Sequence, residues 1–218
     1  MLEIRYVWEW PVRLTHWINV LAIIVLSVTG FYIGHPFYTA TDTAQYIMGW
    51  NRFLHITFAY LFTVSIIARL IWSFLGNRHA SWKAFFPWAS RAEWRNITGT
   101  FKYYTFLQRQ VPYVVGHNAL AAMAYSVVFA LFLLQMLTGF ALYGLYAPDG
   151  AMATAFGWVL AVLGMQGGRL VHHLIMWLLL GFAVHHVYSA WLMDVKEKNG
   201  TLSSIFSGYK FVEPEDLK

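Results

Sequence analysis

Residues 168–191 read GRLVHHLIMWLLLGFAVHHVYSAW, and the fold turns on this stretch. It is apolar for long enough to cross a bilayer, which takes about 20 residues. It nevertheless carries two adjacent histidine pairs, His172 with His173 and His185 with His186. Ionisable groups inside a membrane helix are costly and mark a function. A helix turns about 100° and rises about 1.5 Å per residue. The 14-residue step from His172 to His186 is therefore about 40° short of four full turns. Those two imidazoles share a face and lie about 21 Å apart along the axis, whereas the 13-residue steps leave their partners about 140° apart. One such pair suits two similar groups stacked through the membrane, and two b-type haems fit, each held by imidazoles from facing helices.

The rest of the composition agrees with a membrane setting. The 218 residues are 59% hydrophobic and only 11% charged, against roughly 25% charged in soluble domains. Tryptophan and tyrosine are abundant, as expected of rings that settle at headgroup level. There is no cysteine, which excludes disulfides, thiolate-held clusters and thioether-linked haem within the chain. The net charge of +5 sits in loops and tails, and no basic-aromatic array points to nucleic acid. Residues 1–10 lack the marks of a signal peptide. No nucleotide-binding, serine-hydrolase or zincin motif occurs.

The expected fold class is all-α: an integral membrane four-helix up-down bundle in one domain. Spans are expected at about 14–33, 53–75, 119–143 and 170–191. Residues 152–164 are apolar but too short to cross, so they predict a re-entrant or interfacial segment. Arg78, Lys83, Arg91, Arg95, Lys102 and Arg109 crowd the 76–117 loop, and both tails are basic. The positive-inside rule then places that loop and both termini in the cytoplasm, and segment 145–168 in the periplasm. A weak repeat accompanies this plan. Thr29-Gly30-Phe31 and Thr138-Gly139-Phe140 close spans one and three, and Arg52/His55 and Arg169/His172 open spans two and four.

Depth sorts the histidines into an inner pair, His16 with His186, and an outer pair, His55 with His172. Fourteen residues after His16 stands Gly30, which leaves room at the outer level for a porphyrin edge. Fourteen after His55 stands Arg69, a cation at the inner level that calls for an anionic partner. Arg13, Arg52 and Arg169 each precede a candidate ligand by three residues, one helical turn. These four arginines are candidate propionate partners; the alternative is that they snorkel to lipid phosphate. His173 and His185 point to other faces, as supporting or packing groups. His35 and His79 fall in loops. His117 and Asn118 stand at the start of span three, where a quinone headgroup could find hydrogen bonds or where Asn118 simply caps the helix. Interhelical hydrogen bonding is the bland alternative for each membrane histidine, and zinc is a weaker reading because the 14-residue step keeps the span-four pair from converging.

Taken in order, the motifs resemble a known family. They are Pro11-Val12-Arg13 with His16-Trp17, Thr29-Gly30-Phe31 with Ile33-Gly34, Arg52 with His55, and Arg69 followed by Gly76-Asn77. Then come Gly116-His117-Asn118, Thr138-Gly139-Phe140, His172-His173-Leu174 with Met176-Trp177, His186-Val187-Tyr188 and Ser207-Gly208-Tyr209. Over nearly its whole length the chain resembles the cytochrome b subunit of membrane-bound nickel–iron hydrogenases. The resemblance implies four membrane helices in the bacterial inner membrane and two haem b groups, with His16, His55, His172 and His186 as iron ligands. It further implies periplasmic hydrogenase small and large subunits as partners and a membrane quinone as electron acceptor. The chain itself would then be an electron-transfer subunit and not an enzyme alone. Two positions depart from the family pattern: Ala119 stands where proline is usual, and Arg169 where another histidine is frequent. Formate dehydrogenase gamma subunits and thiosulfate reductase cytochromes share a similar plan and form the rival reading, with a cofactor-free anchor as the third.

Overall fold

The structure, a computed structural model, describes residues 3–42, 44–85, 94, 97–99, 101–102, 105, 107–108 and 119–212. In order come strand β1 (Glu3–Tyr6), helices α1 (Trp10–Gly34) and α2 (Ile47–Leu75), and a 3-10 turn (Trp82–Phe85). Helices α3 (Ala119–Gly144), α4 (Ala151–Glu197) and α5 (Thr201–Ser207) and strand β2 (Tyr209–Val212) follow. Among the described residues four helices, α1 to α4, are long and apolar enough to cross a membrane. A helix satisfies its own backbone polar groups, which a lipid interior demands. The side-chain hydroxyls are satisfied too. Thr15, Thr63 and Thr138 each donate to the carbonyl four residues back, at 2.8 Å. Leu21, Ile24 and Val28 on α1, like Val184 and Val187 on α4, are more than half exposed. A water-soluble surface would not carry such apolar stripes.

The chain forms two compact units, Trp8–Ala80 and Met1–Val7 with Ser81–Lys218. In the first, α1 and α2 make an antiparallel hairpin. Ser65, late in α2, donates to the carbonyl of Thr15, early in α1, at 3.3 Å. Glu9, just before α1, accepts from the Trp72 indole at 2.9 Å and from the Asn77 amide at 2.8 Å. One carboxylate thus ties the entry of α1 to the exit of α2.

In the second unit α3 packs against α4. Helix α4 is broken at Gly164, where φ 69 and ψ 162 leave the helical region; only glycine occupies that backbone region without strain. The short arm, residues 151–163, doubles back at this point. Leu160 packs directly on Gly168, although in an unbroken helix eight residues would separate them by about 12 Å. Phe156 of the same arm stacks on Phe140 of α3, ring centroids 5.4 Å apart. At about 20 Å, 13 helical residues are too few to span the hydrocarbon.

Strands β1 and β2 pair antiparallel, Glu3 opposite Val212 through Tyr6 opposite Tyr209. The Val7 amide extends the ladder to the Gly208 carbonyl at 2.8 Å. The two ends of the chain therefore meet in one small sheet, with Val7 and Val212 fully buried.

Candidate functional site

Within each unit the antiparallel packing brings the Thr-Gly-Phe segment of one helix against a histidine of the next, His55 early in α2 and His172 early in the long arm of α4 beyond Gly164. In the first unit, Thr29 Oγ1 lies 2.9 Å from His55 Nδ1. The same hydroxyl is 2.7 Å from the Val25 carbonyl, to which it donates. A threonine hydroxyl has a single proton. With that proton committed to Val25, Thr29 is placed to accept from His55, which favours the tautomer with its proton on Nδ1 and Nε2 unprotonated. The second unit repeats the geometry: Thr138 Oγ1 donates to Leu134 at 2.8 Å and meets His172 Nδ1 at 3.0 Å. An imidazole held at one nitrogen, with the other unprotonated, is prepared to bind a metal.

The adjoining glycines explain how the rings fit. A Cβ at Gly30 would lie 3.3 Å from His55 Cε1, and one at Gly139 would lie 3.0 Å from His172 Cε1. The space at Gly30, read from sequence as room for a porphyrin edge, admits the neighbouring helix's imidazole. His172 has a second contact from α3: Gln135 Nε2 is 3.3 Å from its Nε2. An amide that donates there needs a bare nitrogen to accept it, so Gln135 and Thr138 require the same tautomer.

At the other level the two units differ. The shift that takes Thr29 to Thr138 takes His16 to Tyr125, and the shift that takes His55 to His172 takes Arg69 to His186. In the second unit Tyr125 Oη is 3.3 Å from His186 Nδ1, and Phe182 stacks on the ring at 5.5 Å. In the first unit half-buried His16 meets Trp17 edge-on at 5.2 Å. Arg69 is buried and donates to the Ala80 carbonyl at 3.0 Å.

The remaining candidates fall as follows. Arg13 is half-buried, while Arg52 and Arg169 are exposed. His173 Nδ1 donates to the Arg169 carbonyl at 2.8 Å, and exposed His185 contacts Ser189 at 3.4 Å. His35 closes α1, and His79 lies in the turn after α2, its amide bonded to Asn77 Oδ1. His117 and Asn118 lie outside the described residues. Among the described residues no three His, Asp or Glu side chains converge as metal ligands do. Sequence reasoning passed over Gln135, Tyr125 and Phe182, and it read the threonines only as repeat markers. The available signal was the spacing itself, since Thr29 and Thr138 each stand beside a glycine on the helix preceding a histidine helix.

Each hairpin thus holds a histidine with one nitrogen engaged, an arrangement that suits a histidine-ligated group inside a membrane. Comparison with known proteins narrows the class. Residues 7–208 match the family model described as prokaryotic cytochrome b561. A relative from Cupriavidus necator is 39% identical over 96% of this chain and 88% of its own length. One from Rhizobium leguminosarum is 38% identical over 97% and 91%, and one from Escherichia coli K12 is 32% identical over 94% and 90%. The first two are named "Probable Ni/Fe-hydrogenase B-type cytochrome subunit", and the third is so named for Ni/Fe-hydrogenase 1. The chain belongs to the prokaryotic cytochrome b561 family. It is thus a multi-pass cytochrome of the bacterial inner membrane, and a b-type cytochrome implies haem b.

Proposed function

We propose that this chain is the di-haem electron-transfer subunit through which a periplasmic nickel–iron hydrogenase passes electrons to membrane quinone. The relatives' names support the hydrogenase partner. Haem b supplies a one-electron carrier whose potential the protein sets through its ligands, hydrogen bonds and burial. The residues present suit that group. The observation that carries the reading is the doubled Thr–His contact, which prepares His55 and His172 as Nε2 donors at matching positions of the repeat. In this reading His55 and His172 hold the outer haem, and His16 and His186 the inner one. Tyr125 and Phe182 fix the His186 ring. Arg13, Arg52 and Arg169 supply cations for propionates. Arg69 joins them, its other face held by the Ala80 carbonyl.

Two independent features support the orientation, with both tails in the cytoplasm. The β1–β2 ladder joins the chain ends, which four crossings require if both tails share a side. The basic residues concentrate in those tails and in the 76–117 loop, which makes that side the cytoplasm. The His55 and His172 level then faces the periplasm, toward the hydrogenase subunits.

Affinity purification of the chain from its native membrane tests the reading. It should bring down a nickel-containing protein, and the chain itself should contain about two haems by pyridine haemochrome assay. A molybdenum-containing partner would move the assignment to the formate dehydrogenase type, and a haem-free preparation would leave only an anchor.

A further inference from the structure

Gln135 stands at the repeat position that Leu26 occupies in the first unit. The first unit packs an apolar side chain there, whereas the second carries a half-buried carboxamide. Its Nε2 lies 3.3 Å from His172 Nε2, the nitrogen assigned above to haem iron. Its Oε1 is buried with no hydrogen-bond partner among the described residues. Helix α3 therefore brackets the His172 ring at both nitrogens, Thr138 on Nδ1 and Gln135 on Nε2. At the equivalent positions α1 carries Thr29 and Leu26, and Leu26 has no polar side-chain atom to offer.

We propose that Gln135 is a positioning residue that stands in for iron in the cofactor-free chain. It satisfies the bare nitrogen of His172 and gives the nitrogen up when haem binds. This rests on the assignment of His172 as a haem ligand. The physical reason is local. An unsatisfied imidazole nitrogen in an apolar interior is costly, and a membrane protein must exist before its cofactor is inserted. Loading exchanges the amide for the metal and frees both ends of the carboxamide. Gln135 therefore stabilises the empty chain and opposes loading by the worth of one net hydrogen bond. That amounts to roughly 2- to 12-fold in haem affinity.

The test compares the full chain, purified with haem and after synthesis under haem limitation, with its Gln135→Met variant, which keeps the volume and removes the amide. Two readouts are taken: thermal stability of the haem-free form and haemin affinity on reloading. Q135M should melt at a lower temperature when haem-free yet bind haemin roughly 2- to 12-fold more tightly. Loss of stability in both forms with weaker haemin binding would show an ordinary packing role and overturn the proposal, as would no change in either. Gln135→Asn, whose amide is one methylene shorter, is the second variant should Q135M not accumulate, and the same opposed changes are expected of it. His172→Ala separates the two levels of the argument. If H172A keeps every haem, the ligand assignment fails; if H172A loses a haem while Q135M moves neither readout, only the present proposal fails.

Discussion

Replacing Thr138 by valine removes one oxygen and leaves the volume nearly unchanged. In the wild type that oxygen donates to Leu134 at 2.8 Å and accepts His172 Nδ1–H at 3.0 Å. The first bond is a local back-bond, and Leu134 keeps its helical N–H partner without it. The second engages His172 Nδ1, and its loss takes an acceptor from a polar N–H packed against α3. An unsatisfied buried donor costs about 1–3 kcal/mol, though membrane measurements of interhelical hydrogen bonds average about 0.6 kcal/mol. Supporting partners of metal-bound histidines are worth about 10–100-fold in affinity. T138V is therefore expected to lose the outer haem about 10–100-fold more readily, scored by transfer to apomyoglobin. The haem that stays should show a higher midpoint potential, because an imidazole without its hydrogen-bond acceptor is a weaker donor to ferric iron. Thr63→Val is the control: its hydroxyl makes the same back-bond, to Ala59 at 2.8 Å, with no hydrogen bond to a histidine among the described residues. If T138V and T63V behave alike, the threonine does not set the ligand and the reasoning is wrong.

Other predictions follow from single contacts. Gly139→Ala places a Cβ 3.0 Å from the His172 ring and Gly30→Ala one 3.3 Å from His55, so G139A should deplete the outer haem more than G30A by optical spectrum; the reverse order would contradict the packing. Gly164→Ala must hold alanine at φ 69, at a cost of about 1–3 kcal/mol, visible as a lower melting temperature in detergent. Glu9→Gln weakens two charge-assisted hydrogen bonds and should lower stability by about 1–3 kcal/mol while both haem signals persist. Burial holds the Lys210 ammonium below its ordinary value of 10.5, partly offset by Glu197 and Asp194. The folded state thus binds the proton less well than the unfolded one, and stability should rise with pH between the lowered value and 10.5. Lys210→Met should flatten that rise, and an unchanged pH profile would remove Lys210 as its source.

The spans were legible because an apolar run near 20 residues has few other uses, and the face shared by His172 and His186 follows from helical arithmetic alone. The ends of the helices were less so. Helix α2 begins at Ile47 and α1 at Trp10, each ahead of the apolar run, because helix continues through interfacial residues that hydropathy does not count. Residues 152–164 were too short to cross, but their helical fold-back on Gly168 depends on one backbone angle at Gly164 that composition does not reveal. Long-range ties were hidden for the same reason. Glu9 and Trp72 are 63 residues apart and meet only once α1 and α2 are antiparallel. Arg69 announced a need for a partner, yet a backbone carbonyl, which every residue has, answers part of it. Strands β1 and β2 are four residues each, and neither has a hydrophobic pattern that stands out without the other.

The most direct measurement is an optical redox titration of the purified chain beside its His172→Ala and His186→Ala variants. The account predicts two b-type components in the wild type, with H172A lacking one and H186A lacking the other. Two intact components in both variants, or the same component missing from each, would contradict it.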